Sequence, residues 1–175
     1  MVPIAKFPKV QNTPITVVIV DDYGMLRELL VENINSFSEC NVVLSAATGK
    51  ELIEGLEQLE ILPDVCIIDI SMPKMNGYEV QLVIKERWPE VKSLALSIYD
   101  DAACIIQMFK NGANGFVTKQ SSPKILHEAI LTVFNGDDYY KQLPVTSFKQ
   151  TKYLPNFKDR ENEFLILTCQ GGSVF

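Results

Sequence analysis

Five short strand-like runs alternate along the chain with five stretches whose apolar residues recur every three or four positions. The runs are Thr16–Val20, Asn41–Ser45, Val65–Ile70, Ser93–Ile98 and Gly115–Thr118. Three of them are nearly continuous in their apolar character: Val17-Val18-Ile19-Val20, Val65-Cys66-Ile67-Ile68 and Leu94-Ala95-Leu96. A strand with one wet face alternates, whereas a continuous run needs cover on both faces, as in a parallel sheet between two layers of helices. Helical stripes lie between the runs. They are Met25, Leu26, Leu29, Leu30, Ile34 and Phe37; Leu52, Ile53, Leu56 and Leu59; Tyr78, Leu82, Val83 and Trp88; Ile105, Ile106 and Phe109; and Ile125, Leu126, Ala129, Ile130 and Val133. Ser122-Pro123 opens the last as a cap followed by proline at the first helical position. Repeated strand–helix units predict an α/β doubly wound sheet with right-handed crossovers.

Composition narrows the class without changing this picture. The 175 residues are 47% hydrophobic and 22% charged, the make-up of an ordinary globular chain and not of a disordered one. Residues 1–136 hold 11 basic and 17 acidic side chains and so carry the whole net charge of −6, which argues against a chain-wide nucleic-acid surface. Cys40, Cys66, Cys104 and Cys169 form no C-x-x-C pair, which disfavours zinc and dithiol chemistry. Cys66 and Cys104 read as small buried hydrophobes, and a reducing cytoplasm is the expected setting. No secretory leader or membrane span is expected. His127 is the one histidine, off the apolar stripe and expected at the surface, and a lone histidine excludes histidine-rich metal sites. Neither a Walker loop nor a G-x-G-x-x-G is present.

In sheets of this kind ligands bind beyond the carboxyl ends of the strands. The first run ends in Asp21-Asp22, the third in Asp69, the fourth near Ser97 and the fifth in Lys119. Singly these have plain explanations: Asp22 as a helix cap, Asp69 as a turn former, Ser97 bonded to local backbone, Lys119 solvated. Together, on one rim, three carboxylates repel unless a cation joins them. Mg²⁺ suits a hard, all-oxygen set. Carboxylates around Mg²⁺ with a lysine and a hydroxyl nearby form a phosphoryl-transfer site, and an aspartate can itself be the nucleophile, Asp69 being the central one.

These residues resemble the receiver domain of two-component response regulators. The likeness rests on Val18-Ile19-Val20-Asp21-Asp22, on Asp69-Ile70-Ser71-Met72-Pro73-Lys74-Met75-Asn76-Gly77, on Leu96-Ser97, and on Gly112-Ala113-Asn114-Gly115-Phe116-Val117-Thr118-Lys119. It covers about residues 16–134 and implies the flavodoxin-like strand order 2-1-3-4-5. It further implies that Asp69 accepts a phosphoryl group from a sensor histidine kinase, and that Asp22 binds Mg²⁺ directly and Asp21 mainly through water. The backbone carbonyl of Ser71 would add a ligand, and Lys119 would pair with the phosphoryl oxygens. Ser97 would swing to the phosphate and Phe116 would be the switch aromatic, the face from the fourth helix through the fifth strand to the fifth helix passing the signal on and serving a homodimer. Tyr99 would flank the attacking water and slow hydrolysis of the acyl phosphate. Gln120 stands where many receivers have proline, which the LuxR-type subgroup often lacks.

The expected organisation is an N-terminal extension (1–14), a receiver domain (15–136), a linker (137–158) and, from 159 to 175, the opening of a truncated LuxR-type helix-turn-helix domain, similar through Phe157-Lys158-Asp159-Arg160-Glu161 and the apolar run after it. The chain would then lack the recognition helix needed to bind DNA. The expectation is a cytoplasmic phosphoprotein controlling transcription in its intact family, not an enzyme beyond self-phosphorylation and autodephosphorylation. Two alternatives are a haloacid-dehalogenase-like phosphatase, which wants Asp-x-Asp where this chain has Asp21-Asp22-Tyr23, and a receiver-fold binding module that is never phosphorylated.

Overall fold

The computed structural model describes residues 13–98 and 102–139, with Ala102 and Ala103 described in backbone only. Five strands and five helices alternate: β1 (Ile15–Val20), α1 (Gly24–Asn35), β2 (Cys40–Ala46), α2 (Gly49–Gln58), β3 (Val65–Asp69), α3 (Gly77–Arg87), β4 (Lys92–Ser97), α4 (Ala102–Lys110), β5 (Gly115–Thr118) and α5 (Pro123–Phe134). The strands form one parallel sheet in the order β2-β1-β3-β4-β5, as expected for the flavodoxin-like arrangement.

The continuous runs are buried on both sides because successive residues feed different cores. Val17, Ile19, Val65 and Ile67 pack with Ile34 of α1 and Leu126, Ala129, Ile130 and Val133 of α5. Val18, Val20, Cys66 and Ile68 pack on the opposite face with Leu52 and Leu56 of α2 and Val80 and Ile84 of α3. A third cluster joins Ala95 and Phe116 to Ile105, Ile106 and Met108 of α4. Each such aliphatic side chain contributes about 1.5–3 kcal/mol through burial.

Two helix faces differ from the sequence expectation. In α1, Met25 and Leu29 are 74% and 51% exposed, while Leu30 and Ile34 face the core. At 100° per residue, Met25 and Leu29 fall on the side of the helix roughly opposite Ile34. In α3 the inward face is Gly77, Val80, Gln81 and Ile84, and Leu82 is half exposed. The buried Gln81 interrupts the apolar signal and draws attention to the wrong line of large residues. Cys104 is only partly buried. His127 is partly buried: its ring stacks on Phe37 with centroids 4.0 Å apart, and its Nε2 lies 3.0 Å from Glu39 Oε1, tying α5 to the α1–β2 turn.

Asp137–Tyr139, which the sequence assigns to the linker, return to the free edge of β5. Tyr139 N–H donates to the Asn114 carbonyl (2.9 Å) and the Phe116 N–H to the Tyr139 carbonyl (3.3 Å), closing a parallel bridge opposite Gly115. Asn114 reinforces this from its side chain, donating to Asp138 Oδ1 (3.2 Å) and accepting from the Ser93 N–H (3.2 Å). A methyl on Gly115 would come 2.5 Å from Leu94 Cδ2 and 3.0 Å from Tyr139 Cβ, so glycine admits this approach. The rest of the expected linker, the N-terminal extension up to Asn12 and the segment 159–175 lie outside the described residues. Tyr139 is 2% exposed, so Tyr139→Ala is expected to lower unfolding stability by about 3 kcal/mol, the cost of emptying a buried aromatic site, as read from urea denaturation.

Candidate functional site

Strand register alone brings the site together. Val20 pairs with Ile68, Asp69 with Leu96, and Ser97 with Thr118. Asp21, Asp69, Ser97 and Lys119 therefore follow or end four adjacent strands at one rim. The Lys119 N–H donates to the Ser97 carbonyl at 2.8 Å, extending the ladder one step past β5.

Lys119 Nζ lies 2.7 Å from Asp21 Oδ2 and 2.8 Å from Asp69 Oδ2, all three side chains being nearly enclosed. Ser71 N–H donates to Asp69 Oδ1 at 3.1 Å, a turn that directs the carboxylate toward the rim. The β3–α3 connection is tight. At Gly77 a methyl would overlap the Asp69 carbonyl oxygen and come 2.7 Å from Ile70 Cα, so only glycine lets α3 start this close behind the strand. Asn76 then caps α3, accepting from Glu79 N–H while the Glu79 carboxylate accepts from Asn76 N–H. Lys74, at φ 68°, makes the one left-handed turn by a non-glycine residue in the described chain.

One oxygen from each of Asp21, Asp22 and Asp69 lies within 4.8 Å of the others. Asp22 does not cap α1; that position is Tyr23, which makes no side-chain cap. Its carboxylate is exposed at the mouth and has no hydrogen-bond or ion-pair partner among the described residues. Three carboxylates with one ammonium in contact with them leave an excess of negative charge, which a divalent ion relieves. The donors are all hard oxygens and one faces water, so the residues present fit Mg²⁺, which keeps several of its waters.

Burial pushes the Asp69 carboxyl above its ordinary value, and the Lys119 hydrogen bond and the Ser71 amide only partly offset it. Burial also disfavours the Lys119 ammonium, but its hydrogen bonds to Asp21 and Asp69 outweigh that and raise its pKa. Lys119 therefore stabilises the fold at neutral pH and ceases to do so only as strong alkali passes its raised value. Asp69 acts in the opposite sense. The folded state holds its proton more readily than the unfolded chain, so ionised Asp69 destabilises the metal-free fold, and the penalty fades as pH falls toward 3.8.

Residues 17–131 match the model of the response regulator receiver domain family. The chain belongs to that family. It is a receiver of the two-component type, and its relatives are LuxR-family regulators. It is 32% identical over 155 residues to the transcriptional regulatory protein DegU of Brevibacillus brevis, covering 88% of this chain and 65% of DegU, so it spans under two thirds of that relative's length. It is 36% identical over 170 residues to the oxygen regulatory protein NreC of Staphylococcus epidermidis, covering 89% of this chain and 77% of NreC. The signal receiver domain of NarL from Mycobacterium tuberculosis superposes with a TM-score of 0.67 at 30% identity, covering 71% of this chain and 99% of that one. No helix among the described residues of this receiver is long and apolar enough to cross a membrane.

The receiver geometry unites Asp21, Asp22, Asp69, Ser71 and Lys119, with Ser97 buried beside them at the end of β4. Phe116 is not at the rim. It is enclosed between β5 and α4. Tyr99 lies outside the described residues. Sequence reasoning passed over Arg27, whose Nη1 donates to the Asp21 carbonyl at 2.6 Å; a basic residue inside an amphipathic helix carries no signal that it reaches back to a strand end. In metal-free protein the Asp69 carboxyl carbon is expected to titrate above 3.8 by NMR. Lys119→Ala moves that midpoint higher still, because the opposing cation is gone, and Asp69→Asn raises Tm at neutral pH.

Proposed function

We propose that this receiver accepts a phosphoryl group from a sensor histidine kinase onto Asp69 and that the acyl phosphate switches the face formed by α4, β5 and α5. The observation that carries this is the Asp69 carboxylate held against the Lys119 ammonium and grouped with the acidic pair, in a cluster whose carboxylates outnumber the ammonium they share. Asp22 would hold Mg²⁺ directly, Asp21 mainly through water, with Asp69 and the Ser71 carbonyl completing the protein's share; the ion would neutralise charge on the transferring oxygens. In the transfer an Asp69 carboxylate oxygen forms the new bond to phosphorus. The phosphorus–nitrogen bond of the donor phosphohistidine breaks, and the nitrogen keeps the electron pair.

The new phosphate adds negative charge and acceptor oxygens at the rim. Lys119 can turn from the Asp69 carboxylate to these oxygens, and Ser97 can donate to them. Because the Lys119 amide is bonded to Ser97 and Phe116 is packed into α4, movement at the ends of β4 and β5 is carried into the third core cluster. Two packings of that cluster would be the off and on states. The protein is a stoichiometric phosphoacceptor, with self-phosphorylation and slow dephosphorylation, rather than a turnover enzyme. It works in the cytoplasm, and the phosphorylated form pairs with a second copy through α4, β5 and α5. Transcriptional control, as in the name of DegU, requires a complete DNA-binding domain joined to this receiver.

Incubation with Mg²⁺ and a small acyl phosphate is expected to add one phosphoryl group, seen by intact mass, and beryllofluoride to form a single adduct. Both should vanish in Asp69→Asn and on chelation of Mg²⁺. An adduct that survives Asp69→Asn, or steady release of phosphate from generic esters, overturns the proposal.

A further inference from the structure

The acidic pair has to stand still for an ion to find it, and helix α1 does not fix it by the usual means. Where α2 and α3 begin with Thr48 and Asn76 accepting from the third helical N–H, the N-cap of α1 is Tyr23, with extended backbone and no side-chain cap, and no acid occupies the first turn. The link between β1 and α1 is made by Arg27 instead. Its half-buried guanidinium reaches back from the first turn so that Nη1 donates to the Asp21 carbonyl at 2.6 Å, beyond the ordinary helical bond of its N–H to the Tyr23 carbonyl.

This contact completes the restraint of Asp21. Its N–H donates to the Ala46 carbonyl of β2 at 3.2 Å. Oδ1 accepts from the Tyr23 N–H at 2.9 Å and Oδ2 faces Lys119 at 2.7 Å. With Arg27 on the carbonyl, every polar atom of Asp21 is held, by β2, α1 and the end of β5. The Asp21 carbonyl oxygen lies in the same rigid peptide plane as the Cα of Asp22. Asp22 has no side-chain partner among the described residues, so the plane that fixes its Cα is the restraint it has, and its carboxylate turns about χ1 and χ2 from that point.

We propose that Arg27 is a positioning residue for the divalent cation: by holding the Asp21 carbonyl it fixes the peptide leading into Asp22 and the point from which the Asp22 carboxylate reaches into the cluster. The inference rests on the Mg²⁺ reading above and adds to it a residue that touches neither ion nor phosphoryl group. Restraints of this kind around metal ligands change affinity by about 10–100-fold when removed. The guanidinium charge itself acts the other way, since a cation close to the cluster repels an incoming one. Positioning and charge therefore predict opposite signs for the same substitution.

The test is Mg²⁺ titration of the wild-type chain, Arg27→Ala and Arg27→Lys, followed by amide shifts of Tyr23 and Ser71, with Tm measured without Mg²⁺ to verify folding. Arg27→Ala is expected to weaken Mg²⁺ binding about tenfold. Arg27→Lys, which keeps the charge and can still offer one donor to the carbonyl, is expected to recover most of it. An Mg²⁺ affinity that is unchanged or tighter in folded Arg27→Ala overturns the proposal in favour of a purely structural or repulsive role. If Arg27→Ala does not fold, Arg27→Met, which keeps the apolar stem and removes the donor, takes its place: weaker Mg²⁺ binding upholds the proposal and equal or tighter binding overturns it. A wild-type chain that binds no Mg²⁺ at this rim overturns the reading beneath the proposal, and the proposal with it, a result distinct from any difference among the variants.

Discussion

One buried ammonium organises this molecule. Lys119 joins the ends of β1, β3 and β5 by contacting Asp21 and Asp69 at once, 2.7 and 2.8 Å away. Without it two enclosed carboxylates would face one another across adjacent strands, and low-dielectric surroundings make such repulsion costly. With it the pair is tolerated but not neutralised, and Asp69 still holds its proton above the ordinary range. The rim is thus kept under an electrostatic tension that a divalent cation can relieve. The same lysine donates its backbone N–H to the Ser97 carbonyl, so this ammonium is tied directly into the sheet.

The sheet makes this possible by precise but ordinary means. Both faces of β1 and β3 are filled, and every residue of β3 is buried. Burial of that extent leaves register little freedom, since slipping one strand by a residue would exchange its two faces. The functional atoms therefore inherit their positions from aliphatic packing deeper in the molecule. Gly77 has the complementary role at the loop: it lets α3 begin against the carbonyl of Asp69, so the segment behind Asp69 cannot swing away without unpacking Val80 and Ile84.

Much of this was readable in the chain because it depends on period and on residue type at strand ends. The continuous runs Val17–Val20 and Val65–Ile68 announced two covered faces, and Asp21, Asp22, Asp69 and Lys119 stood where such strands terminate. Other features were not legible. Met25 and Leu29 entered an apolar stripe that in three dimensions includes Leu30 and Ile34 but turns the other two outward, on the other side of the helix. Arg27 and Asn114 act on backbone groups, and backbone partners leave no mark in the pattern of side chains. His127 looked solvent-facing because stacking on Phe37 is a contact between elements far apart in sequence. Tyr139 falls where periodicity has ended, and a single bridge is too short to have a period at all.

That last contact has a consequence for how copies of the protein can associate. β5 is an outer strand of the sheet, and an unpaired outer strand invites continuation of the ladder into a neighbouring molecule. Here the chain's own return occupies the Asn114 carbonyl and the Phe116 amide. Over that stretch strand addition is blocked, so any union along this flank has to be built from side chains. An interface of that kind can be made and broken by small rotations, without committing either molecule to fibre growth.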